Sequence, residues 1–108
     1  MTTGGPGSQN EKIVVHVDRD LEDLIPNFMT NRHTDLAAMR DAIDKADYET
    51  ICGLAHCIKG AGGGYGFDGL TEIAADLELA AKAQDSAAIS TRLESLADYL
   101  QKVEIVYE

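Results

Sequence analysis

Apolar positions recur along most of this chain in steps of three and four. Ile25, Phe28, Met29, Arg32, Leu36, Met39 and Ile43 form the first such series. Its one polar member, Arg32, has a stem long enough to lie along apolar surface while its charged head stays wet. Asp20 is expected to cap a short turn ahead of this helix, and Pro26 suits a first helical turn, where no N–H is needed. Asp47 is the expected N-cap of a second helix that runs to about Gly64, and Gly66 to Gly69 reads as a break. Leu70, Ile73, Ala74, Leu77 and Ala81 mark a third helix that fades near Gln84. Asp85 or Ser86 caps a fourth, with Ile89, Leu93, Leu96, Leu100, Val103 and Tyr107 on one stripe.

The N-terminal end follows other rules. Residues 1–11 are mostly Thr, Gly, Pro, Ser, Gln and Asn and read as a disordered lead-in. The stretch Lys12 to Asp18 favours extended chain, with Ile13, Val15 and Val17 alternating. A lone strand is not stable, so this one must lie along the helices or pair with something external. Four amphipathic helices with short joints predict an all-α fold, an antiparallel up-down-up-down four-helix bundle with a short extended or helical lead-in. The expected division is residues 1–11 as the disordered segment and residues 12–108 as one bundle domain.

Charge narrows the partners. Nine Lys and Arg against nineteen Asp and Glu leave a net charge of −10. Nucleic acid and anionic membrane surfaces both call for a basic face, so neither is expected as a partner. No apolar run is long enough to span a bilayer, and no secretory pattern opens the chain, which places it by default in the cytoplasm. Cys52 and Cys57 sit five residues apart in one helix and point about 140° away from each other, so reduced thiols are expected.

The second helix carries the chemistry. With Ile51 set at zero and about 100° per residue, Ile51, Leu54, Ala55, Ile58, Gly62 and Tyr65 make the core stripe, and His56 falls near the middle of the opposite face. Cys52, Lys59, Gly60 and Gly63 surround it there. Glycine inside a helix costs roughly 0.5–1 kcal/mol relative to alanine, yet this segment has glycine at 53, 60, 62, 63 and 64. Gly62 can be explained by close helix packing. Gly60 and Gly63 lie where no core needs them, and their missing side chains leave the imidazole open to a large partner. Lys59 stands one turn after His56 and can offset the charge of a phosphoryl group on the ring. The residues alone therefore give an exposed nucleophile, a counter-charge and a cleared docking surface.

The run His56-Cys-Ile-Lys59-Gly60-Ala-Gly-Gly-Gly-Tyr-Gly66-Phe67 resembles the signature of histidine-containing phosphotransfer domains: histidine, two residues, lysine-glycine, then a glycine six further on. Leu77-Glu78 followed by Ala80-Ala81 is also similar to the family pattern, and the likeness covers roughly residues 20–105. It departs from many relatives in having three consecutive glycines at 62–64, which leaves the end of the helix open. The resemblance implies a phosphocarrier, without turnover of its own, that exchanges phosphate between His56 and receiver-domain aspartates of response regulators or hybrid kinases. Its expected partners are a receiver domain and a sensor or hybrid histidine kinase. Gly66 is its motif glycine, Cys52, Gly60 and Gly63 line the docking surface, and no metal or cofactor is held by the chain itself.

Competing readings of the same residues fit less well. Cys52 and His56 stand at i and i+4, a metal-ligand spacing, but His16 and His33 do not complete a site and read as surface histidines. Cys57 flanks the core stripe and is expected to pack, and Glu78 is expected to be a solvated acid on the flank of the third helix. A bundle that binds a kinase without being phosphorylated would need neither His56 nor Lys59. A fragment of a chemotaxis-type kinase would share the local motif but would lack the dimerisation and nucleotide-binding regions within 108 residues. The expected state is a monomer.

Overall fold

The computed structural model describes residues 12–108; the expected disorder of residues 1–11 lies outside the described residues. Strand β1 (Ile13–Val17) leads through a 3-10 helix (Arg19–Leu24) into helix α1 (Ile25–Asp44). Helices α2 (Tyr48–Tyr65), α3 (Asp68–Lys82) and α4 (Ser86–Lys102) follow, and strand β2 (Val103–Tyr107) is the last element. The helices close a ring: α1 packs on α2 and α4, and α3 packs on the same two. Among the described residues no helix is long and apolar enough to cross a membrane.

Local chemistry sets most of the boundaries. Asp47 accepts from the Thr50 amide at 3.2 Å and Asp85 from the Ala88 amide at 3.1 Å, each satisfying an amide that the helix itself leaves unpaired. Before α1 the cap is Asp18, not Asp20, because it is the Asp18 carboxylate that accepts from the Asp20 amide. α2 runs through all three consecutive glycines to Tyr65 and stops at Gly66, whose φ of 88° is left-handed and closes the helix end. Only Gly66 and Phe67 separate α2 from α3, so the expected four-residue break is two residues long. The other two joints have no glycine: Ala46 and Gln84 adopt φ of 53° and 55°.

The core stripes lie inside as their spacing requires. Ile51, Ala55, Ile58 and Gly62 of α2 meet Leu70, Ala74 and Leu77 of α3, Leu36 and Met39 of α1, and Ile89, Leu93 and Leu96 of α4. At the α2–α3 joint, Phe67 is fully buried, stacks on Phe28 at 5.0 Å and brings Tyr65 to within 4.8 Å of the same ring. Arg32 lies over the Phe28 ring, 4.7 Å from its centroid, while its Nε donates to Asp35 at 3.1 Å. Its place in an apolar series is thus explained by its stem and by the aromatic ring it covers.

The C-terminal end departs from expectation. Val103 and Tyr107 are not the last members of a helical stripe; they belong to β2, which pairs in parallel with β1 from Ile13↔Val103 to Val17↔Tyr107. The ladder is extended by the Glu108 amide, which donates to the Val17 carbonyl at 3.0 Å, and by the Arg19 amide, which donates to the Glu108 carbonyl at 3.0 Å. Val15 and Val17 are buried on the inner side, with Ile13, Val103, Ile105 and Tyr107 half-buried against the core. Val14, His16, Glu104 and Val106 face outward. So β1 pairs within the chain itself, and packing of one face onto the helices holds a two-stranded ribbon that would be marginal alone.

Candidate functional site

α2 builds the site by showing two unlike faces. Its inner stripe is sealed, whereas the opposite side is bare. A Cβ placed on Gly53, Gly60 or Gly64 would meet no atom within 4 Å, and one on Gly63 would meet only the Thr71 hydroxyl, at 4.0 Å. Gly62 differs. Its Cβ would fall 2.8 Å from Thr71 Oγ1, so its missing side chain lets α3 approach α2 closely. The His56 side chain, 68% exposed, stands on the bare side.

Of the other positions assigned to this surface from the sequence, Gly60 and Gly63 are exposed and open, whereas Cys52 is half-buried and packs against the edge of the core. Gly66 lies away from the histidine at the helix end, where its left-handed backbone gives it a conformational role. Cys57, expected to pack, is instead exposed next to His56. Both cysteines are free. His16 is exposed and lies 3.2 Å from Glu108, and His33 is exposed on α1. Among the described residues no group of three metal-ligating side chains comes together.

The residue that organises the site is Glu78 of α3. It is not a solvated flank acid: it is buried to 8% exposure, the one buried charged residue among the described residues. Its Oε2 is 3.0 Å from His56 Nδ1, and its Oε1 accepts from Lys59 Nζ at 2.7 Å. Lys82 Nζ, one turn further along α3, lies 3.7 Å from Oε2. A signal for this was present in the spacing. Glu78 stands four residues after Ala74 and three before Ala81, inside the apolar stripe of α3, where an acid needs a partner.

Electrostatics fix its state. The hydrogen bond from Lys59 holds the Glu78 carboxyl below the ordinary glutamate range; burial works against this, and His56 and Lys82 add to the lowering. At neutral pH the group is therefore a carboxylate, which can only accept hydrogen bonds. The proton in the His56–Glu78 bond must then belong to Nδ1. In the neutral ring this leaves Nε2 with an unshared lone pair, on the side chain's exposed end. Lys59, expected beside the histidine as a counter-charge for a phosphoryl group, is held by Glu78 and is 38% exposed. The arrangement can orient the neutral imidazole of His56 as a nucleophile, with the ammonium groups of Lys59 and Lys82 on the carboxylate that holds it.

The fold and the site together define a class: a ring of four helices with an exposed histidine, held by a buried carboxylate, on an open helix face. Comparison with family models places the chain within that class: the model of the Hpt domain matches residues 23–105, and the chain belongs to this family. Membership implies histidine phosphotransfer in two-component signalling. Comparison with curated proteins and with solved structures gives no match.

Proposed function

We propose that the chain is a phosphocarrier that takes a phosphoryl group from a receiver-domain aspartate onto Nε2 of His56 and passes it to another receiver. The observation that carries this reading is the 3.0 Å contact between His56 Nδ1 and a buried carboxylate, on an imidazole that is otherwise exposed. In the forward step the Nε2 lone pair attacks phosphorus, the P–N bond forms, and the acyl-phosphate P–O bond breaks, its electron pair leaving on the receiver's aspartate. Nδ1 keeps its proton throughout, so the ring becomes a phospho-imidazolium whose positive charge faces Glu78. A carboxylate placed in this way orients the tautomer and stabilises the cation as it develops, as it does beside other catalytic histidines. The reverse step sends the same electron pair back to Nε2.

Lys59 and Lys82 supply the counter-charge. Both begin the cycle on Glu78, and the phosphoryl oxygens compete with it for their ammonium groups. Gly60 and Gly63 leave room for the receiver, whose own residues and metal complete the transfer. The three short joints, at residues 45–47, 66–67 and 83–85, support helices that alternate in direction. We take the protein to act as a monomer in the cytoplasm, between a sensor or hybrid kinase and a response regulator. Incubation with a phosphorylated receiver tests the reading. It should yield a label stable to alkali and labile to acid, as a phosphohistidine is; an acid-stable label, or none, would overturn it.

A further inference from the structure

α3 packs chiefly on α2 and α4, and among the described residues its outer side, with Glu72, Asp76, Leu79 and Lys82, is exposed. At the centre of that side is Leu79, 65% exposed and the most exposed of the large apolar side chains among the described residues. A single exposed leucine is ordinary on a surface, but the position of this one is not. It follows directly on Glu78, the residue that holds His56. Ala75 and Ala83, at i−4 and i+4, extend it into a short apolar strip along α3. At about 100° per residue, Lys82 lies between that strip and Glu78, on the side turned toward α2. On the other side of the strip, Asp76 is turned away to Arg92 of α4, at 3.6 Å.

The surface leading outward from His56 over α3 therefore runs from imidazole to cation to apolar strip. Two of the few cations of a chain with net charge −10 are gathered there, Lys59 on α2 and Lys82 on α3. This combination suits a partner that brings an acidic pocket to the histidine and an apolar rim around it. It does not suit a second copy, which would bring another ten negative charges to the contact. We propose that the outward face of α3, centred on Leu79, is part of the docking surface for the receiver that exchanges phosphate with His56. The interface then spans α2 and α3, and Leu79 is its apolar anchor. The inference rests on the phosphocarrier reading, and the test separates the two.

The test compares the full chain with Leu79→Ser and Leu79→Met. Phosphoramidate, a small donor that needs no docking, should label His56 equally in all three. Single-turnover transfer from the phosphorylated receiver should show a half-saturation concentration raised about tenfold in Leu79→Ser with the maximal transfer rate little changed, and near-normal values in Leu79→Met, which keeps the apolar volume. An unchanged half-saturation concentration in Leu79→Ser would overturn the inference. So would a wild-type dimer in sedimentation that Leu79→Ser dissociates, since the face would then belong to a second copy. Failure of phosphoramidate to label His56 in the wild type would bring down the phosphocarrier reading, and the docking inference with it.

Discussion

The seam between α2 and α3 and the ribbon made by β1 and β2 tie distant parts of the chain together by opposite means. In the ribbon the ties are backbone hydrogen bonds and a row of β-branched side chains turned inward, with Val17 at 1% exposure. Nothing there is charged on the buried side. In the seam, the closest polar ties are a carboxylate, an imidazole and an ammonium, and the helix that carries the histidine is weakened by glycines its packing does not need. A polar cluster that could have been replaced by apolar residues at little cost in stability is what a reactive site requires. The difference separates stability from reactivity: the ribbon should govern the first, the seam the second.

The largest effect that would break this division is at His56 itself. His56→Gln should abolish phosphoryl labelling completely while leaving the helical circular dichroism and melting temperature near the wild-type values, because the side chain is exposed. Labelling that persists in this variant, or that maps to His16 or His33, contradicts the assignment. Next in size is Glu78→Gln. The amide can donate to Nδ1 and so favour the wrong tautomer; we expect labelling to slow on the order of 10–100-fold, as when the orienting partner of a functional histidine is lost. Rates equal to wild type would show that the carboxylate is structural only.

The ribbon should behave in the reverse way. Val17→Ala removes two buried methyl groups and should cost about 2 kcal/mol in denaturant unfolding, with labelling of the remaining folded protein unchanged. A fall in labelling rate at a temperature where the variant is folded would couple the two regions. Smaller still is Ala46→Gly. Ala46 holds a left-handed φ of 53° at the end of α1, and glycine there should raise stability by roughly 0.5–1 kcal/mol, again without altering labelling.

How far the sequence reaches follows the same division. Helix periodicity located all four helices and their buried stripes, because a 3.6-residue repeat leaves a direct trace in the order of residues. The cap at Asp47 was equally legible, and Asp85 was one of two candidates for the cap of α4. The C-terminal strand was not. Val103 and Tyr107 continue the three-and-four spacing of α4, and only the β-branched run Val103-Glu-Ile-Val106, alternating in burial, hints at extended chain. Its strand character depends on a partner ninety residues earlier, which no local pattern records. At the site, the exposed His56 and its glycine surroundings could be read from a helical wheel, since both lie on one element. Glu78 and Lys82 could not be assigned to the histidine in that way, because their positions depend on how α3 sits against α2.

Acid titration gives the gentlest test of the seam. Glu78 has a folded-state pKa below its unfolded value, mainly through Lys59, and Asp47 is lowered by its bonds to Thr50. For a lowered carboxyl, folding gains stability above the unfolded pKa, near 4 for ordinary carboxyls, and loses it as pH falls through the folded one. Stability should thus decline below about pH 4, and the decline should be shallower in Glu78→Gln. An identical slope in the two proteins would mean that Glu78 gains nothing from its partners on folding.

The central claim is that the buried carboxylate fixes the proton on Nδ1 and leaves Nε2 to take the phosphoryl group. Phosphorus–nitrogen correlated NMR of the 15N-labelled, phosphorylated chain addresses it most directly. The account predicts one P–N coupling, to Nε2 of His56, with Nδ1 still carrying its proton. Coupling to Nδ1 of His56, or to any nitrogen of another histidine, would contradict it.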